Sequence, residues 1–284
     1  MYPNPTPCDK RPVAIAHQRP QLTLTRKREA ILLTGCLALL ALAAIDPVLQ
    51  QSATYHGFAD QRFLFGARNA MDVLSNLPFA AFGLAGIWTL GRMSETAVSK
   101  AQRQLALLFF TGLIATAACS MWYHLAPDDT RLAFDRYGMV LPFAGLLGLA
   151  ASDRISHRAG RGLAMGVLVF GSWSITIWSV SANLLPWAAL QFGGMVLLLC
   201  LARTRAGENA LCVPWGAIFW IYAAAKVLEL TDGQVYQLTN EMISGHTLKH
   251  IVASGAALPI IWVMRRRGRP LESAAHSVAT IGGR

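Results

Sequence analysis

The sequence predicts an all-α, polytopic membrane helix bundle, with a seven-helix core and one extra transmembrane helix at the amino end. Three observations predict it. The 284 residues are 54% hydrophobic and only 14% charged, where a soluble domain carries about 25% charged residues. Apolar runs of membrane-crossing length recur along the chain between short polar segments. Lysine and arginine gather in alternate segments between those runs and at both ends, the distribution of cytoplasmic loops. The net charge of +10 is therefore read as membrane topology and not as nucleic-acid binding.

Taken in order, residues 1–29 form a polar, basic tail, expected to be cytoplasmic and without fixed structure. The run from Ala30 to about Leu49 is the extra helix. An uncleaved membrane helix is favoured there over a signal peptide cut after Ala41-Leu42-Ala43, because the segment before it is long for a leader. The second helix runs from about Asn69 to Leu90, and its Asp72, Ser75 and Asn76 share a face. The third ends at His124, and Pro127-Asp128-Asp129-Thr130 makes an acidic turn. The fourth carries Asp135 and ends near Ser152. The fifth spans about Gly162–Val180, the sixth Leu184–Leu201 and the seventh Val213–Leu230. The eighth starts near Met242 and reaches Met264, where Arg265-Arg266-Arg267 stops it and the tail 265–284 begins. The transmembrane domain is thus 30–264, with its core from about residue 69. Basic segments follow the second, fourth and sixth helices, so both termini are expected in the cytoplasm. None of the five cysteines forms a CxxC pair, and all are read as packing residues. Trp122, Trp187 and Trp215 are expected to anchor the membrane interface.

Chemistry concentrates in two stretches. Ser120-Met121-Trp122-Tyr123-His124 places a hydroxyl and an imidazole four apart on one helix face. Asp135, in the first turns of the next helix, can face back toward them. His246-Thr247-Leu248-Lys249-His250 puts two histidines four apart on the last apolar helix, a ready pair of metal ligands. His124 is read as the third. Polar groups at membrane depth are costly and mark function by default. Three nitrogen ligands leave a fourth position open, which suits catalytic zinc. Cys119 should point off the Ser120/His124 face, and Lys249, next to His250, should face elsewhere. Lys226 and Glu229, three apart, should pair within their own helix.

At these residues the chain resembles the alkaline ceramidase family, within a superfamily of seven-helix membrane hydrolases that also contains the adiponectin and progestin receptors. The pieces that carry the resemblance are Asp-Val-Leu-Ser-Asn at 72–76, Ser-Met-Trp-Tyr-His at 120–124, Asp135 eleven residues after that histidine, and the pair His246/His250. The resemblance runs from about Asn69 to Met264. It implies a zinc site at His124, His246 and His250, a hydroxyl role for Ser120, and a proton-handling or orienting role for Asp135. Eukaryotic members also carry an acidic calcium-binding segment before the first core helix. This chain has only Asp60 there, with Asn69 where an acidic ligand would stand, which puts calcium (Ca2+) dependence in doubt. Asp72 and Asn76 are open between a role in the site and helix packing.

The function expected from these residues is zinc-dependent hydrolysis of the N-acyl bond of a membrane lipid, ceramide or a related one, to a fatty acid and a sphingoid-type base. Ser120 would donate to the developing oxyanion and Asp135 would handle the proton. The protein is expected in a bacterial inner membrane, with the site toward the non-cytoplasmic side. The bilayer and its lipid are the expected partners, nucleic acid is not, and the oligomeric state is left open. The rival reading is a receptor or signalling protein in which the same Zn2+ ligands are structural.

Overall fold

Prolines and glycines decide where the long apolar segments break and how closely they pack. The structure, a computed structural model, describes residues 18–44, 48–64, 66–207 and 209–268. Among them are eleven helices and no strand: α1 (Gln18–Ala43), α2 (Ala70–Leu74), α3 (Leu77–Gly91), α4 (Lys100–Leu125), α5 (Asp129–Arg154), α6 (His157–Ser181), α7 (Leu185–Arg203), α8 (Trp215–Leu230), α9 (Asp232–Leu238), α10 (Gly245–Ser254) and α11 (Ala257–Arg267). The expected second helix is the pair α2 and α3, and the expected eighth is α10 and α11. Each break lies four residues before a proline, Pro78 and Pro259, at Leu74 and Gly255. A proline removes the helical N–H and crowds the carbonyl four residues earlier.

Six spans are long and apolar enough to cross a membrane among the described residues: Ala70–Gly91, Lys100–Leu125, Asp129–Arg154, His157–Ser181, Leu185–Arg203 and Gly245–Arg267. The chain is a multi-pass all-α membrane bundle. Two of the eight expected spans are shorter. The sixteen residues of α8 rise about 24 Å, less than the hydrocarbon thickness of about 30 Å. The apolar part of α1 begins only at Ala30, because the helix starts at Gln18 and its first turns are basic. Residues 18–29 are thus helical, where the sequence suggested a tail. Pro20 falls in the first turn, where it removes no helical hydrogen bond. The outer parts of both tails, 1–17 and 269–284, lie outside the described residues.

Helices α4 and α5 form the centre of the bundle and cross at backbone contact. A Cβ on Gly112 would sit 2.4 Å from the Pro142 nitrogen, and one on Gly145 would sit 2.3 Å from the Phe109 nitrogen. Close crossings at small residues are how membrane helices gain packing without a hydrophobic drive. Pro142 lies inside α5 and frees the Gly138 carbonyl. Thr116 Oγ1 of α4 donates to that oxygen at 3.0 Å, so the proline defect becomes an interhelical tie. Below it pack Phe109, Phe110, Leu113, Leu147 and Leu149, all buried.

Two polar networks fasten the ends. Asp153, fully buried at the end of α5, accepts from the Leu211 and Cys212 backbone N–H groups and from Trp215 Nε1 at 2.8 Å. At the other end, the Arg136 guanidinium is buried over the Trp178 ring at 4.0 Å and donates to Gln51 at 2.7 Å. Trp187 and Trp215 are therefore core residues, 4% and 0% exposed, whereas Trp122 is 42% exposed as an anchor should be. Cys36, Cys119 and Cys200 carry free thiols.

Candidate metal centre

Three helix ends converge on one buried point. His124 is the penultimate residue of α4, His246 is the second of α10, and His250 follows one turn later. Their rings form a nearly equilateral triangle, with centroids 4.9 Å, 5.0 Å and 4.9 Å apart. All three are buried, at 1%, 8% and 6% exposure. One ligand nitrogen from each lies within 4.8 Å of the others, so the cluster can hold a metal ion. His124 Nε2 and His246 Nε2 are 3.4 Å apart, long for a hydrogen bond. Two nitrogens bound about 2.0–2.1 Å from a tetrahedral zinc stand about 3.4 Å from each other. The donor set and the spacing both fit such an ion.

Metal-bound imidazoles are usually held by a partner on the second ring nitrogen. His250 has one: its Nδ1 pairs with Ser75 Oγ at 2.8 Å, which points the other nitrogen at the cluster. The break after α2 makes this contact, because it turns Ser75 and Asn76 inward. Both side chains also donate to the Asp72 carbonyl, at 3.0 Å and 2.8 Å. The backbone N–H of His246 donates to Asp232 Oδ1 at 2.8 Å. Asn69 Nδ2 donates to the His124 carbonyl at 3.1 Å. His124 Nδ1 has no partner among the described residues.

Asp72 belongs to the support of the site. Its Oδ1 accepts from Thr247 Oγ1 at 2.6 Å and from Ser244 Oγ at 3.5 Å. Ser244 is the N-cap of α10 and accepts from the Thr247 N–H at 3.0 Å. Asp72 thus fixes the start of the helix that carries two of the three histidines.

From outside, the loop 48–64 folds over the cluster. Phe58 is buried and packs its ring 4.7 Å from His124 and 4.5 Å from His246. The Ala59 N–H donates to Asp232 Oδ2 at 2.9 Å. One carboxylate therefore ties both the loop and His246. Asp60, fully buried, pairs with Arg62 at 2.5 Å. Burial pushes its carboxyl up, but the Arg62 hydrogen bonds and charge outweigh that and hold it below the ordinary carboxylate value. Asp60 is engaged by Arg62 and lies outside the histidine cluster. His56 bridges Tyr123 Oη at 3.0 Å and Asp129 Oδ1 at 3.1 Å.

A cavity of about 70 Å³ opens beside His250. Ser120 and Asp135 line it from α4 and α5, facing each other. Ser120 is buried, Asp135 is half-buried, and Asp135 Oδ1 has no hydrogen-bond partner among the described residues. The opposite wall is ionic. Glu229 receives Lys226 Nζ at 2.5 Å and Lys249 Nζ at 2.6 Å, and Lys226 also donates to Gln191 at 2.9 Å. The Lys226–Glu229 pair is the one its spacing suggested. Lys249 corrects an expectation: it lines the same cavity as His250. The cavity is broad enough for adjacent positions of α10 to border it, and Glu229 of α8 draws the lysine in. His124 and His246 do not border this cavity; it meets the cluster at His250.

The sequence had signalled the histidines, Ser120 and Asp135. Phe58, Asp232 and the cavity-facing Lys249 were not found. The first two come from loop and short-helix segments with no periodicity to read. For Lys249 the only signal was the neighbouring charge of Glu229 on another helix. No protein-family model matches the sequence, and no curated protein matches it.

Proposed function

We propose that the chain is a zinc-dependent membrane amidase that hydrolyses the N-acyl bond of a lipid, ceramide or a related one, to a fatty acid and a sphingoid-type base. The observation that carries this reading is the placement of Ser120 and Asp135 in one cavity that borders His250 of the three-histidine cluster. His124, His246 and His250 would hold the ion, and a bound zinc supplies Lewis acidity and water of lowered pKa there. Ser120 Oγ donates a hydrogen bond to the scissile carbonyl oxygen as charge develops on it. Asp135, whose Oδ1 is unpartnered among the described residues, accepts the proton of the attacking water and returns it to the leaving amine. A cavity needs about 10–15 Å³ on this measure to hold one water, so about 70 Å³ has room for a water and the reacting amide. The chains of the lipid then lie against the bundle surface. Phe58 shuts the cluster from the outer side.

The proposed place is a bacterial inner membrane; the charge pattern supports an orientation with both termini cytoplasmic and the site toward the other side. His124 lies at the end of α4, and the basic Arg265–Arg267 lies at the opposite end of the last span from His246. The test is mass spectrometry of lipids from cells with and without the protein. Loss of an N-acyl lipid with gain of its free base and fatty acid supports the reading. Unchanged N-acyl lipids in cells containing folded, zinc-loaded protein contradict it.

A further inference from the structure

A second site lies away from the histidines, between α1 and the outer faces of α6 and α7. A groove of about 450 Å³ runs there. Helix α1 is fastened at one end, where Arg28 Nη1 donates to the Arg154 carbonyl at 3.3 Å and Glu29 receives Ser156 Oγ at 2.6 Å. Farther along, Leu39 packs on Gly193, where a Cβ would lie 2.6 Å from Leu39 Cδ2. Between these fastenings Leu32 and Cys36 of α1 pack toward the core, and the groove opens on the side facing α6. Leu33, Leu37 and Leu40 of α1 face Val167 and Phe170 of α6 and Leu197 of α7. Gly162 and Gly166 line the α6 wall, and a Cβ added at either meets nothing within 4 Å. A side chain there would enter the groove and not the bundle.

The mouth of the groove is basic. Arg158 lines it and is exposed, and no partner for its guanidinium is found among the described residues. The ties of Arg28 to the Arg154 and Arg205 carbonyls place three further arginines at this end of the bundle. The one carboxylate that lines the groove, Glu29, is hydrogen-bonded by Ser156. From Glu29 to Leu40 the groove follows α1 for about 16 Å, close to half of the hydrocarbon thickness of about 30 Å and so the depth of one leaflet.

We infer that this groove binds one anionic membrane phospholipid, an acyl chain lying along α1 and the phosphate meeting Arg158. Apolar length, single-leaflet depth and a cationic mouth are the three features such a lipid matches. Basic pockets between membrane helices bind acidic head groups, at about 1 kcal/mol per arginine or lysine near the surface, which is about fivefold in affinity. The inference is independent of the amidase reading, since the groove shares no residue with the cavity at His250.

The experiment is native mass spectrometry of the full chain in mild detergent, titrated with phosphatidylglycerol or phosphatidylcholine of the same acyl chains. The first phosphatidylglycerol should bind about fivefold more tightly than phosphatidylcholine. Arg158→Gln should remove that preference while leaving chain binding. Gly166→Leu should remove tight binding of both lipids. If Gly166→Leu does not fold, Gly162→Leu makes the same reading one turn nearer the mouth. Equal affinities for the two lipids in the wild type would overturn the inference. So would unchanged binding in the folded leucine variant, or a dimer that excludes lipid from the groove.

Discussion

His124 Nε2 and His246 Nε2 face each other across 3.4 Å, although their residues are 122 apart in sequence. Neither spacing nor composition sets that distance. It is set by α4 ending where α10 begins, with Asp72 capping hydroxyls at the start of α10 and Phe58 packed over both rings. At 3.4 Å the two nitrogens are long for a hydrogen bond to each other, and a common cation would satisfy both.

The support of His250 is testable apart from the ligand itself. Ser75→Ala removes the hydroxyl on Nδ1. Loss of such a partner lowers metal affinity by about 10–100-fold. Competition with a zinc chelator should show that drop, with unchanged helix content. Wild-type affinity in Ser75→Ala would show that the hydroxyl does not hold the ring.

Ser120→Ala and Asp135→Asn should keep the fold and the zinc and lose turnover. Removal of one oxyanion donor costs about 10²–10³ in rate, and loss of acid–base help about 10²–10⁴. If the two residues are only packing groups, the variants will be less stable but equally active per folded molecule. Zinc content, melting temperature and N-acyl-lipid hydrolysis on the same preparations separate the two cases.

Glu229 holds two lysines in the cavity wall. Glu229→Gln leaves both without their carboxylate. Breaking a buried pair in this way costs about 3–5 kcal/mol; these side chains are 16–25% exposed, which places the loss toward the low end. Adding Lys249→Met to Glu229→Gln should restore part of the melting temperature, because one uncompensated cation is removed. A double variant no more stable than the single would contradict the network.

The loop over the site should be sensitive to acid. Asp60 has its carboxyl held below the ordinary value by Arg62, so its contribution to stability is complete above about pH 4. It is lost as pH falls through the lowered value, where the native pair must take up a proton. Melting in acid should therefore drop more steeply for the wild type than for Asp60→Asn. Identical acid limbs would rule out that role for the pair.

Much of the bundle was legible because apolar runs and basic segments are one-dimensional signals. His246 and His250 were legible because i, i+4 spacing fixes a face. The breaks at Leu74 and Gly255 were written in Pro78 and Pro259, yet each pair of helices reads as one apolar run. Lys249 was misplaced because helical spacing says which way a side chain leaves its own helix and not what draws it from another. Phe58 and Asp232 reach the site only through tertiary folding of the 48–64 loop onto α9 and α10. No local pattern records such a contact.

The most direct test of the central claim joins metal content to hydrolysis in one set of preparations. Purified wild-type protein and His246→Ala are assayed for zinc by elemental analysis and for fatty-acid release from an N-acyl sphingoid lipid. About one zinc per chain in the wild type is expected, given three protein ligands. Hydrolysis should be lost on chelation and restored by zinc, and His246→Ala should lose metal and activity together. Full zinc occupancy in His246→Ala, or no fatty-acid release from a folded, zinc-loaded wild type, would contradict the account.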